Sequence, residues 1–91
     1  MMAKKPMDLP VGPDNNMALL RFAIIGELDA VNLYEQIIKT TDNDDIVLVI
    51  NDIIREEKTH IGELQTLLLE LDNEQDDELV FGKNEVRNLT K

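Results

Sequence analysis

The fold of this chain is decided by residues 44–71, which read DDIVLVINDIIREEKTHIGELQTLLLEL. Apolar side chains recur there every three or four residues, the spacing of an amphipathic helix. The mostly β-branched run at residues 46–50 alone would suit a strand, but the helical period continues to residue 71. The stretch therefore predicts a long helix from about Asp44 to Leu71. Its apolar stripe consists of Ile46, Val49, Ile50, Ile53, Ile54, Ile61, Leu64, Leu67, Leu68 and Leu71.

A helix of the same kind precedes it. Asn15 and Asn16 are both good N-caps, and the pattern predicts a first helix from there to about Thr40. Residues 41–44, TDND, favour a turn, so the two helices form an antiparallel hairpin. Gly26 interrupts the first helix, and we expect it where helices approach closely. The apolar positions are Leu19, Leu20, Ala23, Ile24, Ala30, Val31, Tyr34, Ile37 and Ile38.

The two ends of the chain differ from the hairpin in composition. Residues 1–15 hold all three prolines and show no apolar period, which predicts a flexible leader. Residues 72–78 hold five acidic side chains, which predicts a solvated connection. A short helix is expected around residues 83–89. The predicted organisation is a leader at 1–15, a helical hairpin at 16–71, and an acidic connection with a short C-terminal helix at 72–91.

Composition excludes several classes of function. The net charge of −10, from 9 basic and 19 acidic residues, has the wrong sign for binding nucleic acid or an anionic membrane. The absence of cysteine excludes disulfides, thiolate metal sites and thiol nucleophiles. No apolar run reaches the roughly 18 residues of a membrane span. We therefore expect a soluble, cytoplasmic protein that binds neither nucleic acid nor a membrane. Because a chain of 91 residues buries only a small core, a metal or a second subunit must complete it.

Three ionisable residues interrupt the apolar stripes. Glu27 has Ala23 and Val31 one turn away on either side. Glu57 and His60 project from one face of the second helix, one turn apart, as two ligands of one metal must. Counted from the turn, Glu27 and Glu57 lie at the same level to within one helical turn. An unpaired carboxylate in an apolar stripe is costly, so each is expected to take up a proton or find a cation.

A two-fold dimer of hairpins would supply four carboxylates and two imidazoles inside a four-helix bundle. The same set of ligands is found in ferritin-like di-iron proteins, the class on which this prediction is based. Such oxygen-rich ligation favours iron or manganese over zinc. The predicted fold is therefore all-α, a hairpin that dimerises into a ferritin-like four-helix bundle. The same pattern also fits a metal-free helical dimerisation or interaction module, whose buried polar groups set the register.

Two segments carry a resemblance to a known family. Residues 21–36, RFAIIGELDAVNLYEQ, and residues 55–60, REEKTH, closely resemble the encapsulated ferritin-like proteins, half-ferritins associated with encapsulin nanocompartments. The resemblance is strongest to the archaeal branch, in which this domain is fused to the N-terminus of the shell protein. It implies a ferroxidase: O₂ oxidises Fe(II) at a di-iron centre between two chains, with two irons per dimer interface. Fe(III) then passes on for storage inside the nanocompartment, in the cytoplasm.

The resemblance also implies roles for individual residues. Glu27, Glu57 and His60 would be the metal ligands, each used twice. Of these, Glu27 is the expected bridging ligand, because its helix contributes no histidine. Tyr34 would hydrogen-bond a ligand carboxylate and fix its orientation. The family's dimers form a ring, typically a decamer, and the partner is the encapsulin shell protein, to which the domain is fused in the archaeal branch. An iron donor without redox chemistry would use the same ligands.

The chain departs from some relatives near the first ligand. Those relatives have an acid immediately before that ligand and a tryptophan before the tyrosine, whereas Gly26 and Leu33 stand here. Asp29 is therefore the remaining candidate for a metal-entry residue.

Overall fold

Three helices make up the part of the chain that the structure, a computed structural model, describes, which is residues 13–91. They are α1 (Pro13–Thr40), α2 (Asp44–Leu71) and α3 (Asn73–Thr90), and no strand occurs among these residues. The all-helical prediction is therefore confirmed. Most of the predicted leader, residues 1–12, lies outside the described range. No helix in residues 13–91 is both long and apolar enough to cross a bilayer.

The first helix begins earlier than the sequence predicted. It starts at Pro13, two to three residues before the predicted start near Asn15 or Asn16. Proline suits the first turn of a helix because the N–H that it lacks would have no partner there, and because its fixed φ is already helical.

The predicted turn between α1 and α2 is stabilised by capping hydrogen bonds. Asn43 is the N-cap of α2, and its side-chain oxygen accepts hydrogen bonds from the N–H groups of Asp45 and Ile46 at 3.0 and 3.1 Å. The N–H of Asn43 donates to the Thr41 hydroxyl at 3.1 Å. Acidic side chains at the start of α2 also suit the positive end of the helix dipole. The predicted bounds of α2, Asp44 and Leu71, are confirmed.

The third helix corrects the prediction for the C-terminal region. Residues 73–78, predicted to be part of a solvated connection, are helical, and only Asp72 separates α2 from α3. The reason is capping: Oδ1 of Asp72 accepts a hydrogen bond from the Gln75 N–H at 3.0 Å. Glu74 and Asp76 in the first turn of α3 then stabilise its N-terminus through the helix dipole. The acidic run is a helix start, and α3 spans 18 residues rather than about seven.

The second oxygen of the same carboxylate ties the helix junction to α1. Oδ2 of Asp72 accepts from Nη2 of Arg21 at 2.9 Å, and the Asp72 side chain is only 15% exposed. One carboxylate therefore starts α3 and links that start to the first helix. Beyond this junction α3 packs against α2 and not against α1.

The hairpin leaves much of its apolar surface exposed. Among the described residues, Ile54 and Leu68 are the buried apolar side chains, each 6% exposed, and no polar residue is fully buried. Gly26 does not mark a close helix approach within the chain, because a Cβ at that position would meet nothing within 4 Å. The exposed large apolar side chains are Leu19, Leu28, Leu33, Ile46, Leu48, Val49, Leu67, Leu71, Leu79, Val80, Phe81, Val86 and Leu89.

Candidate metal centre

Three side chains that the sequence singled out lie together at mid-length of the hairpin. Glu27 comes from the middle of α1, and Glu57 and His60 come from successive turns of α2. One ligand atom from each residue lies within 4.8 Å of the others. Within residues 13–91 no other group of three such side chains converges in this way. The antiparallel pairing of two helices of 28 residues each puts these positions at one level.

The distances within this cluster suit a shared cation better than direct hydrogen bonds. Nδ1 of His60 lies 3.5 Å from Oε2 of Glu27 and 3.8 Å from Oε1 of Glu57. Good hydrogen bonds between such groups are shorter, about 2.7–3.2 Å. A first-row metal bound at about 2.0–2.2 Å from each ligand holds its ligand atoms roughly 3–4 Å apart. Both distances from the imidazole to the carboxylates fall within that range, so His60 is spaced from Glu27 and Glu57 as ligands of one ion would be.

One oxygen of the cluster has no hydrogen-bond partner. Oε2 of Glu27 is buried and makes no hydrogen bond to any described residue. The Glu27 and Glu57 side chains are 24% and 18% exposed, whereas His60 is 46% exposed. A buried carboxylate oxygen without a donor costs roughly 1–3 kcal/mol. The unpartnered atom thus calls for a proton or a cation, and the donor set of two carboxylates and one imidazole fits a divalent metal.

The proximity of the two carboxylates also changes the acidity of the site. The pKa of Glu57 is raised above its ordinary value of 4.5, chiefly because protonated Glu57 donates a hydrogen bond to the Glu27 carboxylate. Desolvation and repulsion from Glu27 raise it further, Glu56 adds a small repulsion, and His60 opposes the shift. The carboxylate pair therefore favours one bound positive charge, a proton when no metal is present.

The other two predicted site residues do not join the cluster. Tyr34 and Asp29 are half-buried, and neither makes a hydrogen bond or ion pair within residues 13–91. Tyr34 lies seven residues after Glu27, about 10 Å along the helix on nearly the same face. Asp29, two residues after Glu27, points about 200° around the helix from it. Their roles toward a ligand carboxylate and in metal entry stay predictions.

Sequence reasoning missed Glu56 as a contributor to the site. The sequence did not single it out, and it is exposed, yet its charge helps to raise the pKa of its neighbour Glu57. Its position directly before Glu57 in the sequence was the available signal.

Comparison with known proteins gives consistent matches. Residues 18–90 match the family described as rubrerythrin. A ferritin-like–encapsulin shell fusion protein of Pyrococcus furiosus is 47% identical over 83 residues, which is 91% of this chain and 24% of that protein. An encapsulin nanocompartment cargo protein of Myxococcus xanthus is 39% identical over 56 residues, 62% of this chain and 43% of that protein. The chain thus spans from about a quarter to less than half of the length of these relatives.

A solved structure is similar over the whole length. The crystal structure of the encapsulated ferritin domain from Pyrococcus furiosus has a TM-score of 0.88 and 42% identity to this chain. The match covers 99% of this chain and 96% of that one.

Proposed function

Because the chain belongs to the rubrerythrin family, and its homologues are encapsulated ferritin-like cargo proteins as the resemblance predicted, we propose that it is a ferroxidase. Its reaction is the oxidation of Fe(II) to Fe(III) by O₂ at a di-iron site between two copies of the chain. The observation that carries this proposal is the convergence of Glu27, Glu57 and His60 around a buried oxygen without a partner.

The proposed site needs two chains because one chain supplies too few ligands. Three side chains leave a metal ion open on the exposed side, where His60 faces solvent. A second copy related by a two-fold axis would bring the set to four carboxylates and two imidazoles, the di-iron template. The same pairing would cover apolar stripe residues that are exposed in the single chain. Glu27 is the bridging ligand in this proposal because its helix contributes no histidine.

The side chains of the site have separate tasks in this reaction. A pair of bound Fe(II) ions would together supply two electrons to O₂, which with two protons from water would leave as hydrogen peroxide, and two Fe(III) would be the iron product. The carboxylates of Glu27 and Glu57 offset the charge that increases from Fe(II) to Fe(III). Metal binding displaces the proton that the raised pKa of Glu57 favours. His60 would supply an imidazole nitrogen as the third ligand from each chain.

The homologues also support a proposal about assembly and place of action. They are encapsulin-associated cargo proteins, and one is fused to a shell protein. We infer that this chain forms a homodimer, that the dimers join in a ring, typically a decamer in this class, and that the ring works inside an encapsulin nanocompartment in the cytoplasm. There it passes Fe(III) on for storage.

Oxidation of Fe(II) under air, followed by absorbance, tests the activity. Wild-type protein should oxidise Fe(II) faster than buffer, whereas Glu27→Ala, Glu57→Ala and His60→Ala should each lose most of that rate. Glu70→Ala is the matched control because this exposed acid lies about 15 Å along α2 from His60, and it should keep the wild-type rate.

Two outcomes would contradict the ferroxidase proposal. A wild-type rate equal to that of buffer, with no metal bound, would favour the metal-free interaction module. Binding of Fe(II) at the three residues without any O₂-dependent oxidation would favour an iron donor instead.

A further inference from the structure

A second feature of the hairpin extends from the metal cluster toward the turn between α1 and α2, and its lining includes none of the three candidate ligands. It is a groove of about 320 Å³ between α1 and α2 on the half of the hairpin nearer the turn. Two lysines stand at the groove, and its floor includes the buried side chain of Ile54. The lining residues are Glu35, Ile38, Lys39, Asn51, Ile54 and Lys58.

The two lysines are unusual because they have no partners. Of the four basic side chains in α1 and α2, Arg21 pairs with Asp72 at 2.9 Å and Arg55 pairs with Asp52 at 3.3 Å. Among residues 13–91, neither Lys39 nor Lys58 has a carboxylate within 4.0 Å, although Glu35 lines the same groove. In a chain with a net charge of −10, the unpaired cations of the hairpin therefore meet at one place.

The first half of α3 has the complementary pattern. Asp77 and Glu78 are exposed and are followed directly by Leu79, Val80 and Phe81, whose exposure ranges from 43% to 58%. Acidic side chains next to apolar ones are what a groove with lysines and an isoleucine floor would accept.

The segment of α3 at residues 77–81 cannot reach the groove of its own chain. The helix starts at Asn73, about 22 Å along the chain from Lys58, beyond the far end of α2. It packs against α2 without touching α1, and no ion pair joins α3 to either lysine.

We propose that α3 of a second copy docks in this groove. Asp77 and Glu78 of one copy then lie beside Lys39 and Lys58 of another, and the apolar side chains after them cover the isoleucine floor. This contact deepens the proposed assembly, since it is head-to-tail and so can extend beyond a dimer. The contact uses none of the metal ligands and therefore forms without metal. A failure of this proposal would leave the ferroxidase proposal standing, and a failure of the ferroxidase proposal would leave this contact standing.

Charge reversal tests the contact in chelator at low salt, with sedimentation velocity over a range of protein concentrations. Lys39→Glu/Lys58→Glu reverses the groove, and Asp77→Lys/Glu78→Lys reverses the helix. Each variant alone should need about tenfold more protein to reach half-association, the factor expected from losing two modest interfacial ion pairs. An equimolar mixture should recover the wild-type association. In the mixture each lysine-bearing groove meets an acidic α3, and each acidic groove meets a lysine-bearing α3.

The controls separate this contact from general charge repulsion and from misfolding. Glu63→Lys/Glu70→Lys makes the same change in net charge as the helix reversal, at exposed positions outside the groove, and should associate at least as well as wild type. Asp77 and Glu78 lie beyond the capping acids of α3, and circular dichroism checks its helicity. Lys39→Gln/Lys58→Gln weakens the contact without altering α3. Wild-type protein that stays monomeric at every concentration would overturn the proposal, as would a mixture that does not recover.

Discussion

Replacing Glu27 with glutamine should make the metal-free protein more stable, although it removes a proposed ligand. Without metal, and at a pH at which both groups are ionised, the Glu27 carboxylate has one buried oxygen with no donor and stands close to the Glu57 carboxylate. Glutamine has nearly the same shape but carries no charge, and its amide can donate to Glu57. The substitution therefore removes the repulsion and supplies the missing hydrogen-bond donor.

The size of the effect follows from the contacts that change. Relieving an unpartnered buried oxygen contributes roughly 1–3 kcal/mol. Losing the attraction to His60 costs at most about 1 kcal/mol, because that imidazole is 46% exposed and water screens the pair. With the middle of each range, the net gain in the free energy of unfolding is about 1–2 kcal/mol. For a domain of this size that corresponds to a rise of about 4–16 °C in Tm.

Thermal unfolding followed by circular dichroism, in chelator and in anaerobic Fe(II), measures the effect. In Fe(II) the order should reverse, because wild type gains about 2.7 kcal/mol at a metal concentration 100 times Kd and the variant gains less. Glu63→Gln, which removes the charge of an exposed acid, is the control and should leave Tm nearly unchanged in chelator. If Glu27→Gln were less stable than wild type in chelator, the carboxylate would be satisfied without metal and the argument from its unpartnered oxygen would be wrong.

Four further predictions concern the site and the helices. The raised pKa of Glu57 means that, above pH 4.5, the native state holds more protons than the unfolded state, so the free energy of unfolding in chelator should fall as pH rises and then level off. Urea unfolding of wild type and Glu57→Gln over a range of pH checks this, and an equal dependence on pH in the two proteins would contradict it. Added Co(II) or anaerobic Fe(II) should shift the chelated protein toward larger assemblies in native mass spectrometry, because metal binds the paired state. Gly26→Ala should stabilise the metal-free chain by about 1 kcal/mol in chemical unfolding, as the new methyl group meets no atom within the chain; a loss would mean that a second copy packs there. Asp72→Ala should lower helicity at 222 nm and cost about 1 kcal/mol or more, since α3 loses its cap and α1 loses an ion pair, while an unchanged spectrum would refute the capping role.

The hairpin could be predicted from the sequence because its signals are local. The spacing of apolar residues defines both long helices, and Asn43 with the acids after it defines the start of α2. The beginning of α3 could not be predicted in the same way. An acidic run suits a solvated loop as well as a helix start, and the choice depends on the cap that Asp72 provides and on its ion pair with Arg21. That pair joins residues 51 positions apart, a contact that no local pattern reports.

The candidate site could be predicted in part for a related reason. An ionisable side chain in an apolar stripe is visible in the sequence, and the antiparallel pairing then places Glu27 level with Glu57 and His60. The unpartnered oxygen and the raised pKa of Glu57 could not be predicted, because they depend on distances between two helices. The parts proposed for Tyr34 and Asp29 came from family resemblance alone, and their surroundings in a single chain do not decide them.

The small number of buried side chains has a consequence for how this protein withstands dilution and mutation. Only Ile54 and Leu68 lie below one-tenth exposure in residues 13–91, so in the proposed assembly the free energy that holds the hairpin together comes largely from contacts between copies. Dilution then acts as a denaturant, and the melting temperature becomes a function of concentration. If the proposed pairing covers an exposed leucine such as Leu33 or Leu67, polar substitutions there should destabilise the assembly as core mutations do. How well the chain folds in a cell would therefore depend on how many copies of it are made.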